Sequence, residues 1–187
     1  MNKDIFDKCV KTERLHFEGQ WQLFTYFWPV GYMGLLPVGL LTLHAIDLIR
    51  VVETSFKKGE IWLIIVPLLL MFLTYLWQRN ILRFYSVHTA LNRKQLKEVI
   101  LNVSQELKWI TMSSSKDVYT AKTFPGFFSG SWGEHITVLF HENIVFINSI
   151  CDPDKTSSIV SFGRNRNNVQ TLIKRIEEAD LAEADHQ

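Results

Sequence analysis

"IWLIIVPLLLMFLTYLWQ", residues Ile61 to Gln78, decides how the rest of the chain is read. It runs for 18 residues without Asp, Glu, Lys or Arg. It is apolar on every side of a helical projection, with no amphipathic stripe. A helix rises about 1.5 Å per residue and about 20 apolar residues cross the ~30 Å hydrocarbon core of a bilayer, so the stretch predicts a transmembrane helix. A second uncharged run, the 26 residues from Trp21 to Ile46, predicts another. The alternative is a pair of buried core helices, and the missing stripe counts against it. Charged and polar residues precede the first run and its apolar stretch exceeds that of a signal peptide, so it is expected to stay in the mature protein.

Flanking cations set an expected orientation. Lys3, Lys8, Lys11 and Arg14 precede the first run, and Arg79, Arg83, Arg93, Lys94 and Lys97 follow the second; the connection holds Arg50, Lys57 and Lys58. The positive-inside rule then places both termini in the cytoplasm and the protein in the inner membrane, with two spans. Cys9 and Cys151 form no C-x-x-C pair and fit a reducing compartment. A net charge of +1 gives no electrostatic footprint for nucleic acid, which is not expected as a partner.

Three parts follow: an amphipathic N-terminal segment (1–20), a transmembrane helical hairpin (21–90) and a cytoplasmic α+β module (91–187). In residues 1–20 the apolar positions Ile5, Phe6, Cys9 and Val10 fit a short helix at headgroup level or a solvated tail. In the first span Trp21, Tyr26 and Trp28 suit the interface, and Pro29 and Pro37 invite kinks. Gly31, Gly34 and Gly39 permit close helix packing, in the hairpin or in a homo-oligomer. His44 and Asp47 lie at its polar edge. The second span reads on without a break signal through "RNILRFYSVHTAL", as a helix emerging with Arg79 and Arg83 at phosphate level.

The module opens with "LNRKQLKEVILNVSQEL", whose Leu96, Val99, Ile100, Val103 and Leu107 mark one helix face, with Asn92 and Gln95 as a capping box. Five β-like runs follow, at 108–112, 117–124, 135–141, 144–151 and 157–162, and then a closing helix with Val169, Leu172, Ile173 and Ile176 on one side. The expected fold is a membrane-anchored α+β protein: a two-helix hairpin, then an antiparallel sheet of about five strands covered on one face by two helices.

"NSICDPDKTSSIVSFGRNRNNVQTLIKRI" carries a polar strand, Ser-rich turns, and Gly with Asn and Arg before an amphipathic helix. In this it resembles small uncharacterised bacterial membrane proteins with a two-span hairpin and a cytoplasmic α+β module, over most of the chain. From about residue 95 to 178 it is more distantly similar to a soluble domain family. The resemblance implies a fold and a membrane location, and no reaction or site residue.

Candidate chemistry is sparse, and no cofactor or metal is expected. Ser131 in "SGSWG" has the wrong glycine spacing for a nucleophile elbow. His135 and His141 are about 20 Å apart along one strand at ~3.3 Å per residue, too far for one ion. A site from Glu134, His135, Asp152 and Asp154 would need tertiary assembly. Cys151 is followed by two acids that disfavour a thiolate. Gly163, Arg164, Asn165 and Arg166 before a helix form a candidate anion or lipid-headgroup site, against the alternative of an ordinary capped helix. Phe127, Phe128 and Trp132 in "FPGFFSGSWGEH" are candidates for touching the membrane, or for a small core beneath the sheet. The expected function is a non-enzymatic, membrane-tethered binding or scaffolding module for a protein, anionic lipid or itself. The alternatives are an effector whose hairpin rearranges when the module senses a ligand, and a hydrolase using His135 and the acidic turn.

Overall fold

The computed structural model describes residues 1–50, 57–124, 132–155, 161 and 163–184. Its elements are α1 (Lys3–Thr12), α2 (Gln20–Met33), α3 (Leu35–Ile49), α4 (Glu60–Ile81), β1 (Tyr85–His88), α5 (Arg93–Glu106), β2 (Ile110–Ser114), β3 (Val118–Lys122), β4 (Glu134–His141), β5 (Ile144–Cys151) and α6 (Arg164–Ala184). They fall into two compact units, Met1–Thr25 with Leu82–Gln187, and Tyr26–Ile81.

The first unit is α+β. Its five strands form one antiparallel sheet in the order β1-β5-β4-β3-β2. Alternation sends Ile136, Val138, Phe140, Val145 and Ile147 to one face, where they pack against Leu96, Ile100 and Val103 of α5 and Val169, Leu172 and Ile176 of α6. Each such side chain contributes about 1.5–3 kcal/mol by leaving water. α5 starts where its sequence says: the Asn92 carboxamide oxygen accepts from the Lys94 and Gln95 amides, and Gln95 Oε1 accepts from Asn92 N–H at 2.8 Å. It ends in a Schellman arrangement, with Lys108 left-handed at φ 56° and Trp109 N–H donating to Ser104 O at 2.7 Å.

Three expectations are corrected here. The helix after the second apolar run stops at Ile81, and Tyr85–His88 is a strand at the sheet edge paired with β5. Tyr85 to His88 supplies two aromatic or β-branched residues and a continuous partner strand, which override the weak helical continuation. The sheet is also covered on its second face, where Leu139, Phe146 and Ile150 are buried. The cover there includes the N-terminal segment: α1 lies against β4, Phe6 meets the His141 ring edge-on, Cys9 is fully buried, and residues 13–15 pair with 82–84. Finally β2 begins at Ile110 and not at residue 108, because the α5 cap consumes Lys108 and Trp109. The strand expected at 157–162 falls largely outside the described residues.

The second unit is helical, and α3 packs on α4. α4 is long and apolar enough to cross a membrane; α2 and α3 meet that test only as a pair, bent by 57° at Gly34. The break has a cause: the Pro37 ring clashes with a helical carbonyl at Met33, where α2 ends, while Pro37 itself sits harmlessly in the first turn of α3. Gly34 lies close to α4, since a Cβ there would stand 3.2 Å from Met71 Sδ. Gly31 and Gly39 have nothing near that position. Tyr26 and Gln78 lock α2 to α4 reciprocally: Tyr26 Oη donates to Gln78 O at 3.0 Å and Gln78 Nε2 to Tyr26 O at 3.1 Å. His44 faces Glu60 at 3.3 Å, joining the end of α3 to the start of α4.

Candidate functional site

Glu134, His135, Cys151, Asp152, Asp154 and Arg164 gather at one end of the sheet, on both of its faces, while His141 lies at the other end of β4 and His44 and Asp47 lie in the helical unit. β3 ends, β4 begins and β5 ends side by side, so neighbouring residues point in opposite directions. Thr123, Glu134 and Cys151 go toward α6; Lys122, His135 and Asp152 go to the other face. Gly133 makes the geometry feasible: it has φ 138°, and a Cβ there would lie 2.6 Å from Thr123 O.

On the α6 side Glu134 is almost fully buried, and its Oε1 is 3.0 Å from Arg164 Nε. The two meet as an ion pair. The Thr123 hydroxyl donates to the other carboxylate oxygen, and Glu134 N–H donates back to Thr123 Oγ1 at 3.0 Å. Deeper in, Ser149 Oγ donates to Asn165 Oδ1 at 3.0 Å, Asn168 Nδ2 donates to Ser149 Oγ at 3.1 Å and Trp109 Nε1 to Asn168 Oδ1 at 3.2 Å. Asn165 Nδ2 reaches Cys151 Sγ at 3.8 Å.

This arrangement bears on the anion reading of Gly163 to Arg166. Gly163 takes φ 83° just before α6, and the Arg164 and Asn165 amides donate to Ser161 O and Oγ. Arg164 and Asn165 are turned toward the sheet, and Arg166 is exposed. The helix start is thereby capped and its first arginine paired, so the four residues do not converge on one open cradle.

On the other face Lys122 Nζ lies 2.9 Å from Asp152 Oδ1 and 2.7 Å from Asp154 Oδ2. Asp154 Oδ1 accepts from Gln22 Nε2 at 2.7 Å, and Asp154 N–H donates to Asp152 Oδ1 at 3.1 Å. Burial opposes the charge on Lys122, but its hydrogen bonds to Asp154 and Asp152 outweigh that and hold the ammonium above its usual value. Asp154 is held below its usual range, chiefly by its bond to Lys122. His135 is pushed down by burial and then by Lys122, against opposing pulls from Asp152, Asp154 and Glu18. Its Nδ1 and Asp152 Oδ2 are buried without hydrogen-bond partners among the described residues.

The Glu134, His135, Asp152 and Asp154 grouping is therefore split: Glu134 faces α6, and an ammonium already occupies the place between the two aspartates where a cation would sit. Among the described residues no three His, Cys, Asp or Glu groups converge as a metal site. Ser131 lies outside the described residues. Cys9 accepts from His16 N–H at 3.3 Å, yet burial raises its thiol, which keeps it a poor nucleophile. A cleft of about 60 Å³ between α5 and the β2–β3 pair, lined by Ile100, Leu101, Tyr119 and Phe140, is small beside the ~300 Å³ of a ligand pocket.

Of the aromatic candidates, Phe127 and Phe128 lie outside the described residues, and Trp132 is exposed. Lys122 and Gln22 join the site although neither stands out in the sequence. Only the Asp-Pro-Asp turn signalled them, since a paired acid needs a donor from elsewhere in the fold. Comparison with protein-family models, with curated proteins and with solved structures returns no match.

Proposed function

We propose that the protein is a membrane-anchored binding module. In this reading the α2–α3 pair and α4 enter the inner membrane as a two-span hairpin. The sheet unit is displayed on the cytoplasmic side, with both termini, and acts by holding a protein partner or a second copy at the membrane. The observation that carries the reading is the fate of the apolar side chains in Tyr26–Ile81. Only 6% of the most apolar window of α4 is buried, and Trp28, Leu35, Leu43, Trp62, Leu69 and Phe72 are all exposed. Water would penalise such a surface by tens of kcal/mol at ~25 cal/mol per Å², whereas lipid would not. Resemblance to small bacterial membrane proteins with the same division supports the location. Capped helices and an internally neutralised polar end favour binding over catalysis.

Single cysteines at Lys58 and Leu181 test the reading, because buried Cys9 and Cys151 supply little background. In intact spheroplasts a membrane-impermeant maleimide labels Lys58→Cys but not Leu181→Cys if the hairpin crosses twice with its termini inside. Labelling of neither until lysis, with release by alkaline carbonate, would overturn the membrane reading altogether.

A further inference from the structure

We propose that one end of the sheet unit, carrying Trp21, Phe24, Phe124, Trp132 and Lys155, docks into the boundary between headgroups and acyl chains of the bilayer. The inference rests on the membrane reading above and deepens it, by naming the surface that fixes the module against lipid.

Three observations bring these residues together. Gln22, in the first turn of α2, is hydrogen-bonded to Asp154 at 2.7 Å, which holds the 152–155 turn beside Trp21 and Phe24. Lys155 Nζ donates to Trp132 O at 3.0 Å and lies 4.3 Å from the centroid of the Phe124 ring. The Trp21 and Phe24 rings lie 5.7 Å apart. All four rings are more than half exposed. Elsewhere in the same unit Trp109, Tyr119, Phe140 and Phe146 are buried in the core and Tyr85 is exposed on the edge strand, so the described exposed rings are concentrated here.

The partner follows from chemistry and chain length. Trp and Phe flanking an apolar helix prefer the interfacial layer, where a ring is apolar and its surroundings are polar. The helix α2 runs unbroken from Gln20 past Tyr26, where the apolar unit begins. At 1.5 Å per residue, Trp21 and Phe24 are within about 8 Å of that point along the helix. Charge argues for a neutral surface: Lys122 is held between Asp152 and Asp154 and Lys155 lies over the Phe124 ring, so among the described residues this end presents no basic patch for anionic headgroups. Rings and proximity, and not counter-charge, provide the attraction.

The test uses the full chain in phosphatidylcholine vesicles containing a lipid with a doxyl quencher near the headgroup end of its acyl chain or, for the mid-span site in α4, near the chain's methyl end. An environment-sensitive fluorophore is placed singly at Trp132→Cys, at Phe124→Cys, at Leu69→Cys in α4 and at Leu181→Cys in α6. We expect quenching at 69, quenching at 132 and 124 at least twofold above that at 181, and no change when phosphatidylglycerol is added. Quenching at 69 with 132 and 124 no different from 181 overturns the docking and leaves the membrane reading intact; a protein partner covering these rings would give this result in a lipid-only system. Quenching at 132 only with phosphatidylglycerol overturns the neutral-surface argument. No quenching at 69 removes the membrane reading and the docking together.

Discussion

The two units make opposite use of similar residues. In the sheet unit Ile136, Ile147, Leu172 and Ile176 are fully buried between strands and helices; in the helical unit Leu35, Leu43, Leu69 and Leu73 stand outward. The first unit builds its own apolar environment, whereas the second requires one from outside. Its interior is thin and partly polar, with Tyr26 and Gln78 bonding to one another's backbone where a core would place leucines. Stability in the sheet unit should respond to single side chains, and in the helical unit to the surrounding medium.

The strongest break of this contrast comes from Glu134, a carboxylate buried at the sheet end. Arg164→Ala leaves the Glu134 carboxylate without its ion-pair partner, and we expect a loss of about 3–5 kcal/mol in denaturant midpoint measurements. Replacing both, as Arg164→Met with Glu134→Gln, should recover most of that loss, since no buried charge then remains unpaired.

A matched pair sharpens it next. Leu172→Ala in α6 should cost about 2–5 kcal/mol, because the core cannot close fully over the lost volume. Leu69→Ala in α4 exchanges one lipid contact for another and should change stability in nanodiscs by less than about 0.5 kcal/mol. Equal losses at the two positions would mean that α4 is packed as a soluble core helix.

Acid should act on the sheet unit through His135. Its imidazole titrates below its ordinary value in the fold, so the unfolded chain takes up a proton first. Stability contributed there is full above about pH 6.5 and is lost as the pH falls through the folded value. Urea midpoints at pH 7.5 and pH 5 should therefore differ more for the native chain than for His135→Gln. A His135→Gln variant with an unchanged slope would assign the acid sensitivity elsewhere. The smallest effect is local: Lys108→Gly relieves a left-handed side chain in the α5 cap and should add about 0.5–1 kcal/mol.

How far the sequence reaches depends on the range of the interactions involved. α5 and α6 are legible because Leu96, Ile100 and Val103, and Val169, Leu172 and Ile176, repeat at helical spacing, and β4 and β5 because their alternation is regular. β1 is hidden: four residues directly after an apolar helix become a strand only because β5 offers an edge. The N-terminal cover is hidden for the same reason, since the pairing of residues 13–15 with 82–84 joins positions nearly seventy apart. At the candidate site each residue is visible as a polar oddity, but its partner is set by tertiary contact. Glu134 and His135 are adjacent in sequence and serve opposite faces, and Lys122 stands between acids thirty residues away. The bend at Gly34 was half legible, because Pro37 announces a break without giving its angle.

The most direct test of the central contrast is a comparison of collision rates for nitroxide spin labels placed singly at Leu36, Leu69 and Ile110 in lipid nanodiscs, all three sites being exposed on the protein. The account predicts that labels at Leu36 and Leu69 relax through oxygen, which concentrates in hydrocarbon, and are shielded from a water-soluble nickel chelate, while the label at Ile110 does the reverse. A label at Leu69 that meets nickel as freely as the one at Ile110 would contradict it.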